Sequence, residues 1–242
     1  MNVDVLAIGA HPDDVELSCG GTVALLVQLG HSVAIADVTK GELGTRGNEA
    51  IRAKEATRAA EILGVATRRN LGIPDGRIEL TEKNLHKVIS LIRELRPTIL
   101  LIPHAIERHP DHVHTHRLCK EAWFYAGLRK IITTSRGKPQ EPYRPQNYFE
   151  YQQWYRFEPT FIVDISNTFD IKMKAIRAHA SQLHDPKSKE PGTRLSRPDF
   201  LDRIETDARF YGQRIGVKYG EPFFSYTPIG IRNPLELILN KG

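Results

Sequence analysis

Short apolar runs with the composition of β-strands alternate with helical segments through the first half of the chain. Residues 3–8 are predicted to form a buried strand, residues 21–29 a helix that ends at Gly30, and residues 32–39 a second strand. A strand, a helix and another strand in this order form a parallel βαβ unit, which is right-handed in nearly all proteins. The alternation therefore predicts an α/β fold with helices on both faces of its sheet.

The same alternation continues to about residue 127. Thr81 suits an N-cap and Pro110 suits the first turn of a helix. The predicted elements are a helix over residues 49–63 ended by Gly64, a short strand near 69–71, a helix over 82–95, a strand over 98–103 and a helix from 110 to Gly127. This series predicts a Rossmann-like three-layer α/β/α architecture with a mainly parallel sheet.

The second half of the chain is less regular. The predicted elements are an irregular excursion over residues 133–153 that ends in an edge strand, a strand over 159–166, a helix over 169–183, and a last helix that begins near Ser196 or Asp199. The polar run 184–198 is rich in turn-forming residues, so we expect a mobile loop near a site or an interface. We see no composition typical of a linker and expect a single domain over residues 1–242.

Composition and charge exclude several classes of protein. Lysine and arginine number 34 and aspartate and glutamate 29, so the formal net charge is +5, spread without a long basic run. Nucleic acid is therefore not indicated as a partner, whereas a mildly basic surface suits an anionic small substrate. No apolar run approaches the roughly 18 residues of a membrane span, and the N-terminus lacks the early positive charge of a signal peptide. We expect a cytoplasmic protein in which Cys19 and Cys119 are buried thiols.

Two polar segments follow predicted strands. The sequence AHPDD comes directly after the first strand, and HAIERHPDH follows the strand TILLIP about a hundred residues later. Ligands of open parallel sheets bind at the carboxyl ends of the strands. The two segments are therefore predicted to meet at one edge of the sheet, each contributing histidine and aspartate.

Histidine and aspartate in this arrangement are typical of a catalytic metal site. Such a site usually has three protein ligands and one open position, and His11, Asp14 and His112 can supply two imidazoles and a carboxylate. Neighbouring side chains in an irregular loop diverge, so Asp13 is left free to act as a general base. This pattern predicts hydrolysis of a carbonyl compound assisted by a metal ion.

The segment around residue 110 contains two further candidates. His109 and His112 are three residues apart at a helix start and face the same side, so His109 can stabilise an oxyanion or donate a proton to a leaving amine. Asp111 is a candidate to orient His109. His116 is the rival metal ligand, but it lies deeper in the helix and we rank it second.

Each motif also has a purely structural interpretation. His11 could cap the next helix, and Asp13 and Asp14 could be acidic residues favoured by the helix dipole. Two such motifs at predicted strand ends favour the metal site. A non-catalytic nucleotide-binding module is the alternative from another class, but GAHPDD lacks the glycines that allow a backbone to approach pyrophosphate. We expect the remaining histidines at the surface or packed inside the protein. For His179 and His184, a position in the lining of the pocket is the alternative.

These motifs resemble a known family. AHPDDVE near the N-terminus, together with HPDH, is similar to the LmbE-like (PIG-L) metal-dependent N-acetylglucosamine deacetylases. The segments GGTVALLVQLGHSVAIADVTKGELGTRG, RAKEATRAAEILGV and KAIRAHASQL resemble its bacillithiol-biosynthesis branch, which acts on N-acetylglucosaminyl malate. The resemblance extends from residue 3 to about residue 226. A related amidase or deacetylase on another amino sugar or thiol conjugate is the alternative.

The resemblance also implies roles for individual residues. It places the ligands of one Zn²⁺ per chain on His11, Asp14 and His112, the general base on Asp13 and the second catalytic histidine on His109, while iron, cobalt or manganese also suit such a site. It implies that Arg52 and Arg108 bind the malate carboxylates, and that the chains form a homo-oligomer, with a hexamer as the expected form. Glu16 is part of the family motif, and either contact with the sugar or support of the loop is open to it.

Overall fold

A seven-stranded sheet flanked by helices forms the frame of the protein, in a computed structural model that describes residues 2–231, 233 and 234. The strands are β1 (Val5–Gly9), β2 (Val33–Asp37), β3 (Thr67–Asn70), β4 (Ile99–Pro103), β5 (Thr134–Ser135), β6 (Lys138–Pro139), β7 (Asn147–Tyr151), β8 (Phe161–Asp164) and β9 (Gly220–Phe224). The helices are α1 (Asp14–Gln28), α2 (Glu49–Leu63), α3 (Glu82–Leu95), α4 (Pro110–Ala126), α5 (Phe169–Ala178) and α6 (Phe200–Arg214), with a short 3-10 helix at Ala180–Gln182.

The order of the strands confirms the predicted Rossmann-like architecture. The order across the sheet is β3-β2-β1-β4-β7-β9-β8, and β5 and β6 pair separately as a small antiparallel ribbon. Strands β3, β2, β1, β4 and β7 are mutually parallel, whereas β9 is antiparallel to both β7 and β8. Strands β2 and β3 are added on one side of β1, and β4 and β7 on the other side. The order in which strands are added therefore reverses beside β1. Ligands of such sheets bind at this reversal.

Helices cover both faces of the sheet. Leu6 and Ile8 of β1 point toward the cluster that contains α3 and α4, while Val5 and Ala7 point toward the cluster that contains α1, α2 and α5. All five residues of β1 are buried, as expected for a parallel strand between two helical layers. A third cluster packs α5 and α6 against the end of β8.

The bounds of α2 and α3 follow from local capping signals. The Asn48 side chain accepts a hydrogen bond from the backbone N–H of Ile51, and Gly64 ends α2 in the left-handed conformation at φ 73°. Thr81 accepts a hydrogen bond from the N–H of Asn84 at the start of α3. Both helices therefore span the residues that the sequence predicts.

Helix α1 begins seven residues earlier than predicted. It starts at Asp14 rather than Gly21, and it bends at Cys19, where φ is −121° and ψ is 21°. Past the bend, the N–H groups of Gly21 and Thr22 donate to the Glu221 carboxylate at 3.0 and 2.7 Å. Adjacent glycines have low helix propensity and hide this continuation in the sequence, whereas a buried carboxylate from β9 stabilises it.

The edge of the sheet also differs from the prediction. The strand expected at the edge after the excursion, β7, is an interior strand between β4 and β9, and β8 forms the edge. Strand β9 was not predicted, because Gly220 and Pro222 disfavour a strand locally. Pro222 pairs only with β8, since β7 pairs with β9 at Phe223 and Phe224, and its missing N–H is therefore tolerated.

The cysteines and the absence of helix or strand in the predicted loop agree with the sequence-based predictions. Cys19 and Cys119 are free and buried, and residues 184–198 form a loop without helix or strand. In the described part of the chain, no helix combines the length and the hydropathy that crossing a bilayer requires.

Candidate metal centre

The turn that joins β1 to α1 holds the first two candidate ligands. The Asp14 carboxylate accepts a hydrogen bond from the backbone N–H of His11 at 2.8 Å, which closes the turn on itself. Asp13 is the N-cap residue of α1 and Asp14 the first residue of the helix. The two carboxylates therefore leave a helix terminus in different directions, with Asp14 turned toward His11.

The first turn of α4 brings the third candidate ligand to the same place. Nε2 of His112 lies 3.2 Å from Oδ1 of Asp14, and ligand atoms of His11, Asp14 and His112 all lie within 4.8 Å of one another. Gln153, just after β7, donates to Oδ1 of Asp14 at 2.9 Å. We call these three residues, His11, Asp14 and His112, the ligand cluster.

The ligand cluster fits a divalent metal ion. Two imidazoles and one carboxylate are the donor set of many catalytic zinc sites, whose bonds are about 2.0–2.2 Å long. Ligand atoms within 4.8 Å of one another can close on an ion with small side-chain movements. Nδ1 of His112 and Oε1 of Gln153 are buried without a hydrogen-bond partner, so this pocket also holds polar groups that the protein alone does not satisfy.

Acidic groups surround His11. Its Nε2 lies 3.1 Å from Oδ1 of Asp75 and 3.3 Å from Oδ2 of Asp111. Burial lowers the pKa of His11, but the hydrogen bonds to Asp111, Asp14 and Asp75 outweigh burial and raise this pKa well above its usual value. Burial also raises the pKa of Asp75, but its contacts with His11 outweigh this and the pKa is lowered. Carboxylates that favour a proton on His11 favour a metal cation at the same point.

Asp13 is held by an arginine. Nη2 of Arg52 lies 3.4 Å from Oδ1 of Asp13, and Nη1 donates to the carbonyl of Gly41 at 2.9 Å. Arg52 is 4% exposed. Gly41 has φ 69°, and a Cβ atom there would lie 1.8 Å from Nη1 of Arg52, so the loop can surround this guanidinium only with glycine at this position. The structure thus places Arg52 against the candidate base and beside the cavity.

His109 lies beside the ligand cluster. Its ring centroid is 5.0 Å from that of His11 and 4.8 Å from that of His112. Its Nδ1 accepts a hydrogen bond from the backbone N–H of Asp111 at 3.3 Å, so His109 caps α4. The Asp111 carboxylate, expected to orient His109, instead contacts His11 and the N–H of Gly76. Burial and the charges of His11 and His112 lower the pKa of His109.

His116 faces away from the ligand cluster. Its Nδ1 lies 3.0 Å from the carbonyl oxygen of Pro103 and 3.5 Å from Oε1 of Glu150, a fully buried carboxylate of β7. Among the described residues, neither the ligand cluster nor the second group of metal-ligand type, formed by His11, His109 and Asp111, includes it. This placement agrees with the rank below His112 that we assigned to His116 from its position in the helix.

Glu16 supports the turn from beneath. It is fully buried, pairs with Arg68, and lies 3.3 Å from Nε2 of His179. Arg68 also donates two hydrogen bonds of 2.8 Å to Asp37. Burial opposes ionisation of Glu16, but Arg68 and His179 lower its pKa to about 2. Glu16 and His179 therefore belong to a buried ionic network, and His184 is an exposed residue of the loop.

A cavity of about 550 Å³ opens above the ligand cluster. Asp13, Arg52, Arg108 and His109 line it. Further lining residues were not predicted from the sequence as site residues, namely Asp75, Gln153, Trp154, Thr193, Arg194 and Arg203. Asp75 had a usable signal, because the PDG turn that contains it follows a predicted strand whose carboxyl end lies at the same edge of the sheet.

Comparisons with known proteins identify the family of this chain. The sequence profile of the family described as PIG-L, GlcNAc-PI de-N-acetylase, matches residues 6–123. Diacetylchitobiose deacetylase of Thermococcus kodakarensis is 33% identical over 227 residues, which cover 90% of this chain and 80% of the relative. A probable N-acetyl-alpha-D-glucosaminyl L-malate deacetylase 2 of Bacillus cereus is 28% identical over 201 residues, which cover 75% of this chain and 84% of that protein.

A solved structure has the same fold as this chain. A conserved protein from Thermus thermophilus superposes with a TM-score of 0.85 at 36% identity, covering 96% of this chain and 98% of that chain. The profile match contains both histidine-aspartate motifs. The 33% identity to a deacetylase extends over 90% of this chain. This chain therefore belongs to the PIG-L (LmbE-like) family.

Proposed function

We propose that this protein is a zinc-dependent deacetylase that removes the N-acetyl group from an N-acetylglucosamine conjugate, with N-acetylglucosaminyl malate of bacillithiol biosynthesis as its substrate. The observation that carries this proposal is the convergence of the ligand cluster and Asp13 in one cavity. Family membership supports the reaction class, and the similarity to the Bacillus cereus protein supports the malate conjugate.

His11, Asp14 and His112 would hold the metal ion. A divalent ion in such a site polarises a carbonyl group and makes water more acidic. Zinc suits two imidazoles and one carboxylate, although other divalent metals suit them too. The hydrogen bonds from the N–H of His11 and from Gln153 fix the Asp14 carboxylate before any ligand arrives.

Asp13 and His109 are the proposed catalytic residues. Asp13 takes the proton of the water that attacks the amide carbonyl, and Arg52 holds the carboxylate in position for this transfer. His109 is placed on the cavity wall to stabilise the oxyanion or to donate a proton to the leaving amine.

Arg52 and Arg108 are the proposed contacts for the malate carboxylates. A planar guanidinium suits a carboxylate because it can donate two parallel hydrogen bonds. The Arg108 guanidinium has no hydrogen bond or ion pair to another described residue. That of Arg52 already contacts Asp13 and Gly41, so it can reach a carboxylate only with the hydrogen-bonding capacity that remains.

A deacetylase of a neutral amino sugar is the second candidate. The similarity to the Thermococcus diacetylchitobiose deacetylase favours it. Its substrate lacks an acidic group, so acetate release from neutral and acidic glycosides separates the two candidates. An amidase acting on a thiol conjugate of an amino sugar would release the same type of amine, but with a carboxylic acid other than acetate.

The test combines a metal assay with acetate release from a panel of N-acetylglucosaminides with and without an acidic aglycone. We expect about one metal ion per chain, loss of acetate release after chelation, and recovery when zinc is returned. Tightly bound nucleotide without stoichiometric metal, and no acetate from any substrate, would reject the proposal in favour of a nucleotide-binding module.

We further propose that residues 1–242 form one deacetylase domain that works in the cytoplasm as a homo-oligomer, with a hexamer as the expected form. Light scattering coupled to size-exclusion chromatography measures the number of chains. A monomer that retains full activity would contradict this part of the proposal.

A further inference from the structure

Three arginine side chains converge on one indole at the rim of the cavity. The Cζ atoms of Arg203, Arg194 and Arg108 lie 3.4, 4.9 and 5.0 Å from the ring centroid of Trp154. Arg108 comes from the segment before α4, Arg194 from the loop 184–198 and Arg203 from α6. Chain segments distant in sequence therefore place three positive charges around one aromatic ring.

The acid next to Arg108 in the chain, Glu107, forms no ion pair with a guanidinium of the described residues. The Glu107 carboxylate accepts hydrogen bonds from the backbone N–H groups of Arg108, Trp154 and Tyr155, so it holds the main chain instead. Its contacts fix the backbone of Trp154 and thereby the ring on which the arginines lie.

The other nearby acids are also engaged. Asp199 pairs with Arg197 through two hydrogen bonds of 2.9 and 3.0 Å. The acidic residues that line the cavity have partners as follows: Asp13 with Arg52, Asp14 with His112 and Gln153, Asp75 and Asp111 with His11, and Asp207 with Arg156 and Arg203. Within the part of the chain that is described, the guanidiniums of Arg108 and Arg194 have neither a hydrogen bond nor an ion pair.

Asp207 pairs with Arg203, but Arg108 and Arg194 remain as like charges without an ion-pair partner in the described residues, an arrangement that a bound anion would stabilise. Burial and the positive charges of Arg194 and Arg203 lower the pKa of Arg108, and they outweigh the nearby charge of Glu107, which acts in the opposite direction. Stacking on the indole orients the guanidiniums of Arg108 and Arg194 but does not give them an anionic partner. Two guanidiniums with free N–H groups can together donate four parallel hydrogen bonds, which suits a group with two negative charges.

The arginines lie on the same cavity as the ligand cluster. Arg108, Trp154, Arg194 and Arg203 line it together with His11. Its volume of about 550 Å³ is within the usual range for small-molecule sites. One molecule can therefore place an acetamide at the ligand cluster and an acidic substituent at the rim.

We propose that Arg108 and Arg194, stacked on Trp154, form a binding subsite for a dianionic group, a dicarboxylate or a phosphate monoester, carried by the amino sugar. This inference rests on the proposed deacetylase function and extends it, because it gives the loop 184–198 a role in choosing the substrate. It also moves the main acid contact from Arg52 to Arg194, since Arg52 is occupied by Asp13 and Gly41.

The first test measures substrate preference with the full chain. kcat/KM is determined for N-acetylglucosaminyl malate, N-acetylglucosamine 1-phosphate and neutral methyl N-acetylglucosaminide, in the wild type and in Arg194→Gln. We expect the ratio of acidic to neutral kcat/KM to fall about tenfold or more, mainly through KM, because a charge-assisted hydrogen bond is lost. Lys189→Gln removes the same charge from an exposed position of the same loop outside the cavity lining, and it should leave the ratio unchanged.

The outcomes separate the two sources of negative charge. A fall for the malate glycoside alone assigns the subsite to a dicarboxylate, and a fall for the phosphate alone assigns it to a phosphate monoester. Arg194→Lys keeps the charge but not the planar pair of donors, so it should recover part of the ratio. An unchanged ratio in Arg194→Gln for both acids overturns the inference.

A second test does not depend on turnover. Calorimetric titration with L-malate and with inorganic phosphate is compared between the wild type and Arg194→Gln. Binding to a metal ion would persist in the variant, whereas binding to the subsite should weaken about tenfold or more. Equal affinities overturn the inference, and Arg194-dependent binding in a protein that releases no acetate rejects the proposed function while keeping the subsite.

Discussion

The floor and the rim of the cavity are built in opposite ways. The floor consists of His11, Asp13, Asp14 and His112, and the rim of Arg108, Trp154 and Arg194. Each acid of the floor is nearly buried and has partners supplied by the fold, such as the N–H of His11 and Gln153 for Asp14. The Arg108 and Arg194 side chains are exposed and lie against the Trp154 ring, and within the described residues their guanidiniums have no hydrogen bond or ion pair.

This difference suits the floor to the reaction and the rim to the choice of substrate. A floor held by buried partners is preorganised, as a reaction centre must be if its groups are to stabilise a transition state without rearranging. A rim on loops can change at little cost to the fold. Substitutions in the floor should therefore lower the rate for every substrate alike, and substitutions in the rim should change the ratio between substrates.

The largest effect is expected from loss of a floor ligand. His112→Ala removes one of three metal-binding groups, so bound metal should fall to background and acetate release should fall with it. Elemental analysis and an acetate assay measure the two. His114→Ala, two residues away on the exposed face of α4, is the matched control. Full metal content in His112→Ala would remove His112 from the floor.

Loss of the base should separate chemistry from metal binding. Asp13→Asn leaves the ligand cluster in place, so metal content should stay near that of the wild type while kcat falls by about 10² to 10⁴. The fall should be equal for acidic and neutral glycosides. If the variant instead changed the preference between them, the separation between floor and rim would be wrong.

The network beneath the floor should be the main source of its rigidity. Arg68→Gln leaves the buried carboxylates of Glu16 and Asp37 without their shared partner, which should cost about 3 to 5 kcal/mol in the free energy of unfolding. Arg58→Gln breaks an exposed pair with Glu61 and should cost less than about 1 kcal/mol. Denaturant unfolding compares the two, and similar losses would show that the network does not support the floor.

The smallest effect in this series concerns the position of Asp13. Gly41→Ala would place a methyl group against Arg52 and displace it from Asp13, and a misplacement of this kind can lower the rate about 10²-fold. Gly72 is the matched control, because it also has a positive φ, of 56°, but open space around it. Gly72→Ala therefore introduces the same backbone strain as Gly41→Ala without a steric clash. Gly72→Ala should lose about 1 to 2 kcal/mol in the free energy of unfolding, and Gly41→Ala should lose more because Arg52 is also displaced. Only Gly41→Ala should lose activity, as acetate release and denaturant unfolding of both variants would measure.

Several elements could be predicted because their signals are local. Asn48 and Thr81 cap the beginnings of α2 and α3, and Gly64 ends α2, each through contacts within a few residues. Both helices therefore match the prediction. Strand β9 could not be found in this way, because its partners β7 and β8 lie far away in the sequence. The same holds for α1, whose bend is stabilised by Glu221 from the other end of the chain.

The period of the elements and their caps sufficed to indicate an α/β sheet, because both are local properties of the sequence. The position of the polar residues along the chain then indicated histidine and aspartate at the ends of two strands. Only the tertiary structure decided that Arg52 contacts Asp13, that Asp75 and Gln153 join the floor, and that Arg194 meets Arg108 on Trp154. These contacts join residues separated by tens of positions or more. They exist only when packing of the layers brings the carboxyl ends of the strands and the loop 184–198 together.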